Sequence, residues 1–134
     1  MFFAWDITVE AATAEAAPKA QTLKLSAGVI TGVDVKFPSG CHGLVKVRLK
    51  HWEFQLMPLS RGEWVTGDDE AVRMPTYFEL PKGPYELRFE GASPETSYGH
   101  TVTVRVSVLP KAVASMIPFI EVLTKVLQRM GVLG

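Results

Sequence analysis

Apolar and polar residues alternate with a period of two over most of this chain. Phe3, Trp5, Ile7 and Val9 share one parity and predict a half-buried strand near the start. In "GVITGVDVKFP", Val29, Thr31, Val33, Val35 and Phe37 alternate with Ile30, Asp34 and Lys36. "LVKVRL" sets Val45, Val47 and Leu49 against Lys46 and Arg48, and "YELRFE" sets Tyr85, Leu87 and Phe89 against three charges. "TVTVRVSVL" puts Val102, Val104, Val106 and Val108 opposite Thr101, Thr103, Arg105 and Ser107. Strands of this kind bury one face. Turn chemistry separates them at "PSG", "SRGE", "TGDDE", "PKGP" and "GASPETSYG". No helical period intervenes, so the prediction is an all-β body, a seven- to eight-stranded sandwich or jelly roll, with a closed barrel as the other solution. After Leu49 the apolar parity switches to Trp52, Phe54 and Leu56, with no turn residue at Lys50 or His51. A strand that changes its buried face in this way needs a bulge or a sharp bend, as strands at sandwich corners have.

The period changes at the end. In "ASMIPFIEVLTKVLQRMGVLG", Phe119, Ile120, Val122, Leu123, Val126, Leu127 and Met130 fall on one wide arc of a helix. Ser115 suits an N-cap, Pro118 a first turn and Gly131 the C-terminal stop. Lys125 and Arg129 lie late, where the helix dipole favours cations. The reading is therefore a β domain over residues 1–110, beginning with a short apolar arm, and an amphipathic helix over 111–134. Between arm and body, Ala11–Gln21 is an Ala-rich connector. Burying the helix's apolar arc is worth roughly 10–20 kcal/mol as an upper bound. It can pack on its own domain, on another protein or copy, or, less suitably for two cations, on a membrane surface.

Composition narrows the classes of function. A chain of 134 residues argues for one domain, long enough to fold without staples. Fourteen Lys and Arg balance fourteen Asp and Glu, which removes the electrostatic term of direct nucleic-acid binding. A single cysteine makes no internal disulfide. "MFFAWDITVE" lacks the basic region of a signal peptide, and no stretch reaches the roughly 20 apolar residues of a membrane span. The expectation is a protein made in the cytoplasm, with no membrane span and no cofactor.

Candidate chemistry is sparse. Cys41 and His42 stand between two glycines, but adjacent strand residues point to opposite faces, so His42 is badly placed to activate the thiol. Cys41, His42, His51 and His100 lack the paired spacing of a zinc site, so no metal is expected. "TGDDE" lacks the spacing of a calcium loop, and neither a phosphate loop nor a nucleophile elbow is present. Cys41 shares parity with Val45, Val47 and Leu49 and reads as a small core residue. Trp64 in "SRGEWVTG" and Tyr98 and His100 in "PETSYGH" are candidate ligand-contacting loop groups.

Three segments carry a resemblance: "LKLSAGVITGVDVKFPSGCHGLVKVRL", "EFQLMPLSRGEWVTGDDE" and "YFELPKGPYELRFEGASPETSYGHTVTVRVSVLP". Together they resemble small all-β structural proteins of tailed bacteriophages over about residues 5–110. The resemblance implies a virion component, such as a head decoration, neck or tail accessory protein, and carries over no functional residue. The expectation is a non-enzymatic protein of the virion that forms a homo-oligomer and contacts other virion proteins. Its interfaces would be Phe2, Phe3 and Trp5 at one end and Phe119, Ile120, Leu123, Val126, Leu127 and Met130 at the other. The competing expectation is a carbohydrate- or receptor-binding sandwich using Trp64, Tyr98 and His100.

Overall fold

A computed structural model describes residues 1–80, 82–110 and Lys125. The expected terminal helix, with Phe119, Ile120, Leu123, Val126, Leu127 and Met130, lies outside the described residues. Nine strands are present among the described residues: β1 (Phe2–Val9), β2 (Lys19–Lys24), β3 (Val29–Phe37), β4 (Lys46–His51), β5 (Phe54–Met57), β6 (Val65–Thr66), β7 (Glu70–Glu79), β8 (Glu86–Ala92) and β9 (His100–Leu109). They form two antiparallel sheets. One has the order β1-β9-β3-β7; the other has β2-β8-β4-β5, with β6 also paired to β4.

The period-two pattern explains why these segments pair. Along β9, Val102, Val104, Val106 and Val108 are buried, while the residues between them face outward. Ile7, Val9, Val33, Val35 and Phe37 of the first sheet share one core with Leu23, Val47, Leu49, Leu56, Leu87 and Phe89 of the second. Each fully buried side chain of this size contributes about 1.5–3 kcal/mol. The architecture is thus all-β and sandwich-like. The sheets approach closely at Gly91, where a Cβ would stand 2.7 Å from Val9 Cγ2.

Two local features depart from simple alternation. Val29 and Ile30 are both buried, because the register of β3 shifts between Ile30 and Gly32 against both of its neighbours. Against β9, Thr31 is the extra residue of a β-bulge, and against β7 it stands opposite two residues, Thr76 and Tyr77, so Ile30 joins the core instead of facing away from Val33. The second departure corrects the single bent strand expected around Lys50. A register shift does fall between Leu49 and Lys50, but the chain then reverses in a two-residue hairpin at Trp52 and Glu53. Trp52 has φ 55°, a conformation that hairpin turns normally give to Gly, Asn or Asp. Trp52 and Phe54 are exposed, while Leu56 is buried. The apolar parity here did not mark a buried face.

Candidate functional site

The register sets which loops meet. Val9 pairs with His100, Phe37 with Glu70, Lys19 with Gly91, and Lys46 with both Ala92 and Thr66. The connections 10–18, 38–45, 67–69 and 93–99 therefore gather at one end of the two sheets. Hydrogen bonds lock them together. Ser93 N–H donates to Thr13 O at 2.9 Å, and Ser93 Oγ donates to Glu10 O at 2.7 Å. Thr96 Oγ1 donates to Ser93 O and accepts from Ala12 N–H. Gly40 N–H donates to Asp68 Oδ1 at 3.0 Å.

Within this end, the two stretches singled out in the sequence come together. A cavity of about 240 Å³ is lined by Gly40, His42, Glu95, Ser97, Tyr98 and His100, among others. His100 begins β9 on its inward-facing parity and is 6% exposed; neither ring nitrogen has a hydrogen-bond partner. Tyr98 lies over it, with ring centroids 4.4 Å apart and planes tilted by 35°. Tyr98 itself is 58% exposed. Gly40 has φ 94°, and a Cβ there would stand 2.9 Å from Tyr98 Oη, so this position needs glycine for both conformation and space.

Cys41 and His42 separate as their parity suggested. Cys41 is fully buried in the core and His42 is exposed. Burial, then the nearby Asp68 carboxylate, push the Cys41 thiol above its ordinary value, so it stays protonated near neutral pH. Asp68 is held below its ordinary value, chiefly by the backbone N–H of His42, with the His42 ring and the N–H groups of Gly40 and Cys41 adding to the effect. His42 Nδ1 lies 3.7 Å from Asp68 Oδ2. Among the described residues, no three His, Cys, Asp or Glu side chains converge into a metal-binding group. No helix among them is long and apolar enough to cross a membrane.

The other sequence-predicted residues lie apart from this cavity. Trp64 is half-buried beneath the Arg48 guanidinium, 3.9 Å from its ring centroid, and does not line the cavity. Phe3 and Trp5 stack on each other at 6.1 Å and pack half-buried against the core. Phe2 alone of the three stands in solvent, 86% exposed. It flanks a shallow apolar depression over Gly32, which the register places in one row with Ser107 and Pro75. Reading the sequence missed Gly40, His42 and Glu95 as neighbours of Tyr98. The "SGCHG" turn gave a hint through its glycines, but only the strand register brings the two loops together.

No protein-family model matches the chain, and no curated protein matches it in sequence.

Proposed function

We propose that this chain is a non-enzymatic structural protein of a phage particle, a jelly roll that associates with copies of itself through the edge of β1. The strand order supports the jelly-roll reading. With β5 and β6 taken as one interrupted strand along β4, eight strands divide into two four-stranded sheets that exchange strands as two Greek keys do. A head decoration, neck or tail accessory role follows from the resemblance of the β body to tailed-phage virion proteins. The terminal segment, with Phe119, Leu123, Val126, Leu127 and Met130, would add a second contact on the strength of its sequence pattern.

The observation that carries the self-association reading is a contrast among sheet edges. An unpaired edge is a template for another strand, and proteins guard such edges with proline, charge or brevity. β7 carries Pro75, Arg73 and two glutamates, β2 carries Lys19 and Lys24, and β5 has four residues. β1 runs for eight residues with Asp6 as its one charge. Met1 and Val108 exchange hydrogen bonds, so by antiparallel alternation Phe2, Ala4, Asp6 and Thr8 direct their backbone groups outward. Beside them stand exposed Phe2 and the depression over Gly32.

Ala4→Pro tests this. It removes an outward N–H and gives β1 the kind of guard that β7 already has. Native mass spectrometry should find the wild type as a defined oligomer and the folded variant as smaller species. A wild type that stays monomeric at tens of micromolar, or a variant whose mass is unchanged, would overturn the edge-pairing reading. For the particle role, peptides of this chain should appear in purified virions by mass spectrometry; virions lacking them would remove that assignment.

A further inference from the structure

The loop-end cavity points beyond assembly. It combines an exposed aromatic ring, a buried imidazole with both nitrogens unspent, and an acidic rim. Each feature restricts what would fit. At about 240 Å³ the space is below the roughly 300 Å³ at which drug-sized sites begin, so it admits a single small ring. The two ring nitrogens of His100 are free of protein partners, and a hydroxyl group, which both donates and accepts, can satisfy such a nitrogen in either role, whereas a carboxylate only accepts. Glu95 on the wall, and Asp68 beside His42, add negative charge that repels anions. Tyr98 presents a ring face beside the opening, a surface for the C–H face of a sugar. The loops around it are tied by the Ser93, Thr96 and Asp68 hydrogen bonds, so little ordering entropy is lost on binding.

We propose that this cavity binds one residue of a neutral saccharide: the exposed Tyr98 ring swings off His100 to stack on the sugar, and this opens the enclosed imidazole nitrogens to one of its hydroxyls. Trp64, grouped with Tyr98 and His100 by the sequence, takes no part, because it lies beneath Arg48. The proposal does not rest on self-association, and its readout does not depend on oligomer mass.

The test uses the full chain and saturation-transfer NMR with the methyl glycosides of glucose, galactose, mannose and N-acetylglucosamine at millimolar concentration. At least one should receive saturation and shift the ring C–H signals of His100. Tyr98→Phe should keep the transfer, because stacking needs the ring and not the hydroxyl. Tyr98→Ala should weaken binding at least tenfold, and exposure of this side chain makes the substitution safe for folding. Gly40→Ala, which crowds the Tyr98 hydroxyl, should weaken binding as well. Absence of transfer to all four glycosides, transfer that survives Tyr98→Ala, or transfer without a His100 shift would each overturn the assignment.

Discussion

At the scale of single residues, much of the loop order here depends on one amide. Gln55 is 6% exposed, and its Nε2 lies 2.8 Å from Pro58 O, 3.0 Å from Ser60 O and 3.0 Å from Glu63 O. Its Oε1 accepts from Gly62 N–H. Three carbonyls share two amide hydrogens, and the excursion 58–64 closes around them. Gln55→Ala should cost about 1–2 kcal/mol in urea unfolding and speed hydrogen exchange at Gly62. Gln55→Glu should cost more than Gln55→Ala, because a carboxylate would face three carbonyl oxygens. The reverse ranking would show that side-chain volume, not hydrogen bonding, holds the loop. Cys41 gives a second prediction of this kind. Being enclosed and held protonated, it should react with a thiol reagent at neutral pH only at the rate of unfolding, with full reactivity in denaturant. Fast reaction of the native protein would contradict its burial.

At the scale of elements, legibility followed physical cause. Strands β1, β4, β8 and β9 could be read because one face meets the core and the other meets water, and alternation records that asymmetry. The bulge at Thr31 was hidden because Val29 and Ile30 are both apolar, and either parity could have been the core face. The Trp52 hairpin was hidden for a different reason. Its turn uses an aromatic residue where the sequence rules look for Gly, Asn or Asp, so no local signal existed. The candidate site was hidden for a third reason: Gly40 and Tyr98 lie 58 positions apart in the chain, and only strand register brings their loops together. The hairpin carries its own prediction. Trp52 is 69% exposed at positive φ, so it bears strain with little burial in return. Trp52→Asn should therefore stabilise the fold by about 0.5–1 kcal/mol in chemical denaturation. A loss of more than 1 kcal/mol would mean that the indole makes contacts worth more than the strain.

At the scale of the whole molecule, equal numbers of opposite charges conceal an uneven arrangement that acid should expose in two steps. His51 sits edge-on to Phe78 at 5.2 Å with a buried, unpartnered Nε2. Burial lowers its affinity for a proton below the ordinary value of 6.5, against a smaller opposing pull from Glu86. As pH falls through about 6.5, the unfolded chain takes a proton that the native state resists, so stability is lost there. Glu90 acts lower on the scale. Burial by itself would raise its carboxyl, but Arg48 and Lys50 outweigh this and leave it below the ordinary 4.5. Arg48 Nε lies 2.7 Å from Glu90 Oε1, Lys50 Nζ 3.4 Å from the same oxygen, and Arg88 Nε 3.1 Å from Oε2, so one carboxylate is shared by three cations on β4 and β8. A depressed carboxyl contributes stability above its unfolded value and loses it as pH falls through the folded one. Unfolding free energy measured by urea from pH 8 to pH 3 should thus decline first around 6.5 and again below 4.5. His51→Gln should remove the first decline and leave the second. Glu90→Gln should cost about 2–3 kcal/mol at pH 7, less than a wholly enclosed pair because the cations reach solvent, and should flatten the second decline. A variant that shifts the whole curve without changing its slopes would mean that these groups act through packing alone.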